Sequence, residues 1–290
     1  MDLVDLVSGE FAFAKRYRAG ITASPVVAHT LANDIVQVFT GRPGPFLSRI
    51  GFISDRAGGP ELWVMDWNGE NPKQLTKHGT IALAPAWSPD GKTIAYFSDR
   101  TGEYELTIRP SDGSGEEKTL TELGAGYRYT PMWSPDSTKI VFIDNLQVIH
   151  LYDVERQEIT DVDRGLGMTQ GALDNFSVSW SSDSRWFAYS RGLGNNQSAV
   201  FLYDTSTGEQ HQLTAGFVDS VDPVFDPEGE YLYYLSARTF EPIYSSFDRS
   251  WIYTNPTNIV VVPLRSEGGL RYADWVRRNR EQVAEKTGGR

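Results

Sequence analysis

Cysteine is absent from this chain, which has 290 residues and four histidines. Disulfides and thiolate metal sites are therefore excluded, and no two histidines have the spacing of a shared metal site. No hydrophobic run approaches the roughly 18–20 residues that a membrane-spanning helix needs. The N-terminal residues form no apolar leader with a basic flank, so the sequence as written predicts a cytoplasmic location.

Catalytic motifs and positive charge are also scarce. The chain contains no Gly-x-Ser-x-Gly elbow, no glycine-rich phosphate loop and no evident serine–histidine pair. We therefore predict no catalytic residue, no metal, no cofactor and no enzymatic activity. The formal net charge is −11, which disfavours binding to nucleic acid or to an anionic membrane.

A recurring tetrapeptide frame is the strongest signal that is present. Trp-Ser-Pro-Asp occurs at residues 87–90 and 133–136, and altered copies occur at 180–183 and 225–228. The leading aromatic residues are separated by 46, 47 and 45 positions. A period of about 40–50 residues with an aromatic residue and a turn in each copy is typical of β-propeller blades. The pattern predicts an all-β protein, a β-propeller with about five blades.

The pattern also predicts how the chain is divided. Residues 1–45 are expected to form a small α/β fragment with a hairpin and a helix that begins at Ser24, which would cap it, and ends before Gly41. Residues 46–265 are expected to form the propeller, and residues 266–290 a C-terminal helix. The first repeat lacks its opening strand, and an open ring would expose strand edges and favour self-association.

The loops between consecutive blades are the predicted binding site. In a propeller these loops surround the mouth of the central channel, and loops on a rigid scaffold often carry function. Exposed aromatic residues and an arginine among acidic groups suit the recognition of a protein or peptide. The candidate binding residues are His78, Tyr127, Arg128, Tyr129, Asp174, Asp219 and Asp222.

Two stretches of the chain resemble two known families. The hairpin at residues 7–10, the helix at 28–39, and segments 40–44 and 61–66 carry the first resemblance. Through them residues 1–99 resemble TolB, the periplasmic propeller family of the Tol–Pal system. This resemblance implies a non-catalytic propeller that binds a protein partner, and a periplasmic location.

The second resemblance covers residues from about 87 to 265. Its carrying segments are 126–131, 201–226, 238–244 and 251–258. They resemble the propeller of tricorn-type serine proteases, and residues 271–290 resemble the helix that leads into the catalytic domain of that family. No position matches the catalytic serine or histidine of the family, so neither role is carried over.

Three functional hypotheses remain open from the sequence. The first is a TolB-like, non-catalytic interaction module. The second is a peptide-guiding propeller of a tricorn-type protease without its catalytic domain. The third is a chimeric chain that folds without a function of its own.

Overall fold

A computed structural model describes most of the chain and divides it into two compact units. Met1–Pro85 with Ser98–Arg100 form the first unit, and Ala86–Phe97 with Thr101–Arg290 form the second. The predicted boundaries at residues 45 and 265 remain predictions, and the predicted helix over 266–290 lies outside the described residues. The described residues are 2–4, 11–20, 23–166, 176–239, 243–244, 251–252 and 257–264.

The predicted helix is present in the first unit. Helix α1 spans Ser24–Thr40, and Gly41 follows it with a φ of 73° while its N–H donates to the carbonyl of Gln37 at 2.9 Å. This left-handed conformation explains why glycine ends the helix. The predicted capping role of Ser24 is wrong, because Ser24 is already helical and Ala23, at the cap position, has no side-chain acceptor.

Two small sheets complete the first unit. Strands β1 (Asp2–Val4) and β2 (Phe11–Ala14) pair antiparallel, as predicted for the hairpin. Strands β3 (Arg49–Ser54), β4 (Glu61–Asp66) and β5 (Lys73–Gln74) form a three-stranded antiparallel sheet. This sheet is the first of the repeats.

The later repeats each form a sheet whose strands follow one another in chain order. In two of these sheets the two central strands form a hairpin without a register shift. The sequence of sheets confirms the predicted all-β repeat fold. Counting the β3–β5 sheet as the first, the second sheet consists of β6 (Ala82–Trp87), β7 (Thr93–Ser98), β8 (Glu105–Pro110) and β9 (Lys118–Thr119), and the third of β10 (Met132–Trp133), β11 (Lys139–Ile143), β12 (Val148–Asp153) and β13 (Glu158–Arg164). The fourth sheet consists of β14 (Val178–Trp180), β15 (Trp186–Gly192), β16 (Ser198–Asp204) and β17 (Glu209–Gln212), and the fifth of β18 (Ser220–Phe225), β19 (Tyr231–Ser236) and β22 (Asn258–Pro263). Strands β20 (Ile243–Tyr244) and β21 (Trp251–Ile252) form a separate pair.

Apolar side chains between neighbouring sheets form the core of the second unit. One cluster joins the third and fourth sheets, and its fully buried members include Val141, Phe187 and Tyr189. Another joins the fourth and fifth sheets through buried residues such as Val200 and Leu232. Because strands alternate their side chains between two faces, each central strand contributes to the packing on both sides of its sheet.

The Trp-Ser-Pro-Asp frame forms a hydrogen-bonded turn in each complete copy. The Ser134 hydroxyl donates to Asp136 at 2.5 Å and accepts the N–H of Lys139 at 2.9 Å. Ser181 and Asp183 repeat the first contact at 2.5 Å. The hydrogen bond from Ser181 holds the pKa of Asp183 below its usual value. Burial raises the pKa of Asp136, but its hydrogen bonds, chiefly from Ser134, give a net lowering.

The turns also bond to one another. The fourth residue after each aromatic residue has a positive φ, and at two of these positions it is serine: Ser137 (63°) and Ser184 (60°). The hydroxyl of Ser137 accepts the N–H of Asp90 at 3.1 Å, and that of Ser184 accepts the N–H of Asp136 at 3.0 Å. Each serine therefore joins its own sheet to the preceding one.

We predict that Ser184→Ala lowers the free energy of unfolding by about 1 kcal/mol, because the N–H of Asp136 loses its acceptor. Ser184→Gly should be less harmful, since glycine adopts the positive φ without strain. Urea denaturation measures both. Ser182→Ala, at an exposed position of the same turn, is the control and should change little. Equal losses in Ser182→Ala and Ser184→Ala would refute the role of this hydrogen bond.

Candidate functional site

A cleft of about 470 Å³ opens at the ends of the sheets opposite the Trp-Ser-Pro-Asp turns. It lies where strands of the third, fourth and fifth sheets come together in the second unit. Its volume falls in the range of ordinary ligand sites. The lining residues are Ile143, Gln147, Ile149, Gly165, Phe176, Ser190, Arg191, Gly192, Ser198, Val221 and Asp222.

The wall of the cleft is apolar in part. Ile143 is 5% exposed and Ile149 is 2% exposed, and both belong to the core cluster between the third and fourth sheets. Phe176 is half-buried and packs against the same cluster. The wall is therefore part of the packed core, which gives it a fixed shape.

Arg191 supplies the positive charge of the cleft. Its Nε donates to Oδ2 of Asp163 at 2.7 Å, and its guanidinium lies 4.5 Å from the ring centroid of Phe201. The same carboxylate oxygen accepts the hydroxyl of Tyr189 at 2.8 Å. Burial, above all, raises the pKa of Tyr189. The charge of Arg191 is thus compensated within the fold.

Asp222 supplies the negative charge on the opposite side. It is exposed, its φ is 52°, and the register of β18 against β19 shifts between Val221 and Val224. Such a bulge redirects a side chain out of the ladder. Among the described residues, the Asp222 carboxylate has no hydrogen bond or ion pair. Nearby, Asp219 Oδ1 accepts the N–H of Ser198, a lining residue, at 2.8 Å.

A pair of tyrosine rings lies on the loop before β10, which bonds to the cleft wall at Ile143. The ring centroids of Tyr127 and Tyr129 are 5.0 Å apart, and Tyr104 adds a second edge contact with Tyr127 at 5.6 Å. Tyr129 donates its N–H to the carbonyl of Ile143 at 3.0 Å, so the loop is fastened to the cleft wall. Burial, above all, raises the pKa of Tyr129. Tyr127 is 41% exposed and available to a partner.

Arg128 corrects a prediction from the sequence, which treated it as an exposed contact. Its side chain is buried, with the residue only 3% exposed. Nη1 donates to the carbonyl of Gly126, and the backbone of Arg128 forms a β-bridge with Asp144. A Cβ on Gly126 would lie 3.0 Å from Nη1 of Arg128. The guanidinium is therefore buried against its own loop instead of being exposed as predicted.

The other predicted site residues lie at different places in the structure. Asp222 lines the cleft, Asp219 accepts a hydrogen bond from the lining residue Ser198, and Tyr129 donates one to the lining residue Ile143. Tyr127 packs against Tyr129 on the same loop. His78 is half-buried and belongs to the first unit, whereas the cleft belongs to the second. Asp174 lies outside the described residues. Whether any of these residues binds a partner stays a prediction.

Several cleft residues were not predicted, Arg191, Phe176 and Gly192 among them. Arg191 and Gly192 end strand β15, and nothing in their local sequence distinguishes them from ordinary strand residues. Only the convergence of three sheets gives them a shared surface. Within the described residues, no cluster of metal-ligating side chains and no helix long and apolar enough to cross a membrane is found.

Comparison with known proteins first identifies relatives of the TolB type. A TolB homolog from Chlorobium chlorochromatii is 34% identical over 129 residues, which cover 44% of this chain and 29% of the relative. The Tol-Pal system protein TolB of Geobacter metallireducens is 41% identical over 92 residues, which cover 32% of this chain and 21% of the relative. The matched part thus spans less than a third of the length of either relative.

The fold agrees with a known propeller structure. The crystal structure of TolB from Acinetobacter baumannii superposes with a TM-score of 0.62 at 20% identity, covering 91% of this chain and 64% of that one. The chain is therefore a β-propeller protein. The family model of the tricorn protease second beta propeller domain matches residues 59–287, and the chain belongs to that family. Both resemblances predicted from the sequence are confirmed.

One prediction is overturned by these relatives. TolB homologues are periplasmic proteins, so the predicted cytoplasmic location is wrong. That prediction depended on the first residues of the chain. Because the matches span only a part of each relative, the first residues carry no information on location.

We predict that Arg128→Ala lowers the free energy of unfolding by about 1–3 kcal/mol, because it removes a buried hydrogen-bonding group. Thr130→Ala, at an exposed position of the same loop, should leave stability nearly unchanged. Thermal and urea unfolding of both variants measure the difference. Wild-type stability in Arg128→Ala would show that the guanidinium does not hold the loop.

Proposed function

We propose that this chain is a non-catalytic interaction module of the TolB type, which binds a protein or peptide at the cleft face. The cleft face is the surface formed by the cleft, Tyr127, Tyr129 and Asp219. The observation that carries the proposal is a partly apolar cleft whose carboxylate, Asp222, has no partner among the described residues, with a tyrosine pair on the loop that bonds to its wall. By relation to TolB, we propose that it acts in the periplasm.

The chemistry of the cleft face suits recognition. Tyrosine offers a large apolar ring with a polar end, and such residues often dominate binding energy at protein interfaces. Tyr127 is 41% exposed and supported by two neighbouring rings. A supported ring loses little conformational freedom on binding, so more of the contact energy remains as affinity.

The absence of catalysis is also part of the proposal. TolB homologues are non-enzymatic. In the cleft, the charged groups are Arg191, which is bonded to Asp163, and Asp222. Among the described residues, neither is paired with a nucleophile or a general base as a hydrolytic site requires.

A second candidate is a propeller that guides peptides to a catalytic domain. The match of residues 59–287 to the tricorn protease second propeller favours it. This candidate uses the same cleft face but expects extended peptides instead of a folded partner.

The test is calorimetric titration with purified Pal of Geobacter metallireducens, the organism of one TolB relative. We expect saturable binding that Tyr127→Ala weakens about tenfold, equivalent to about 1.4 kcal/mol. Ile159→Ala is the matched control, because Ile159 is similarly exposed, at 39%, and lies on β13 away from the cleft.

The alternative outcomes separate the hypotheses. Binding of unstructured peptides without binding of Pal would favour the peptide-guiding candidate. Equal effects of Tyr127→Ala and Ile159→Ala would remove the cleft face from the proposal. Hydrolysis of fluorogenic peptides that persists through purification would overturn the non-catalytic assignment.

A further inference from the structure

Of the two charged side chains that line the cleft, one is paired within the fold and the other is not paired with any described residue. The guanidinium of Arg191 is held by Asp163 at 2.7 Å and covers the ring of Phe201 at 4.5 Å. Asp222 lines the same cleft, is exposed, and has no partner among the described residues. The negative charge is therefore the one available to a ligand.

The backbone conformation of Asp222 also occurs at another position before a proline. A positive φ before a proline also occurs at Ala84, which has a φ of 50° and precedes Pro85. The conformation thus recurs at one other repeat and is not evidence of function by itself. The two positions differ in their side chains, because Ala84 has a methyl group and Asp222 has a carboxylate. The carboxylate is not needed for the conformation.

The walls of the cleft select the shape of a complementary side chain. Ile143, Ile149, Phe176 and Val221 present apolar surface next to the carboxylate. Lysine and arginine combine an apolar stem with a charged end, so the stem would contact these walls while the end reaches Asp222. A neutral apolar side chain would leave the carboxylate partly desolvated and unpaired, which is unfavourable.

The net charge of the whole chain also favours a basic ligand. The formal net charge of the chain is −11. A negative protein attracts basic segments and accelerates their association, and salt screens this attraction.

We infer that the cleft recognises a lysine or arginine side chain in an extended segment of the bound partner, with Asp222 as its counter-charge. This rests on the proposed function and specifies the chemistry of its ligand. Because Asp222 is exposed, the ion pair contributes modestly, and we expect at most about a fivefold preference for a basic side chain.

The experiment is selection from a phage-displayed library of random heptapeptides on the immobilised chain. The wild type should enrich peptides with lysine or arginine. One selected peptide is then synthesised with its basic residue and with norleucine, which keeps the stem and removes the charge. Norleucine should weaken binding to the wild type by up to about fivefold and should leave binding to Asp222→Asn almost unchanged. Asparagine tolerates the positive φ, so this variant should fold.

Two further variants make the test specific to the cleft. A Cβ on Gly192 would meet no atom within 4 Å, so Gly192→Trp should fill the cleft and abolish the basic preference without displacing the core. Glu228→Gln removes one negative charge at the opposite end of the sheet, in the turn between β18 and β19, and should keep the preference.

Each outcome has a distinct meaning. An undiminished basic preference in Asp222→Asn, or an equal loss in Glu228→Gln, overturns the inference, since overall charge would then explain the preference. Peptide capture without any basic preference overturns the inference alone and leaves the proposed function standing. Failure to capture peptides together with failure to bind Pal overturns the proposed function as well.

Discussion

The hydrogen bond between successive Trp-Ser-Pro-Asp turns is the constraint on which the second unit depends. The inner strands β10 and β14 contain only two and three residues, too few to be stable through their own ladders. The hydroxyl of Ser184 and the indole of Trp133, which donates to the carbonyl of Ala86 at 3.1 Å, tie these strands to the preceding sheet. The next turn has Gly229 at the equivalent position, which has no hydroxyl, and there Ser179 accepts the N–H of Phe225 at 2.8 Å instead.

This arrangement fixes one end of each sheet and leaves the other free to vary. At the fixed end the second, third and fourth sheets use the same turn, and its serine and aspartate are occupied by structural hydrogen bonds. At the opposite end the connecting loops differ in length and sequence, and the bulge at Asp222 and the tyrosine rings occur there. Variation is thus confined to the end where it does not disturb sheet-to-sheet bonding, which is the usual division between scaffold and binding surface.

The same division explains which features the sequence predicts. The sheets follow from the repeat, because the aromatic residue and the turn are local signals at a constant spacing. Tyr127 and Asp222 were found because they lie in or beside loops. The exposure of Arg128 was predicted wrongly because burial depends on the carbonyl of Gly126 and the bridge to Asp144, neither of which has a local signature. Arg191 was missed because only the convergence of three sheets separates it from other strand residues.

The two charged groups of the cleft differ in how closely they are tied to the packing of the sheets. Arg191 is bonded to Asp163 and packed on Phe201, so altering it would disturb the contact between the third and fourth sheets. Asp222 has no such role among the described residues, and its conformation is shared by an alanine in another repeat. Substitution at this position would therefore change the charge offered to a ligand while the core stays intact. A propeller of this kind can acquire a new partner through one exposed residue at a bulge, since the packing that defines the fold lies beneath it.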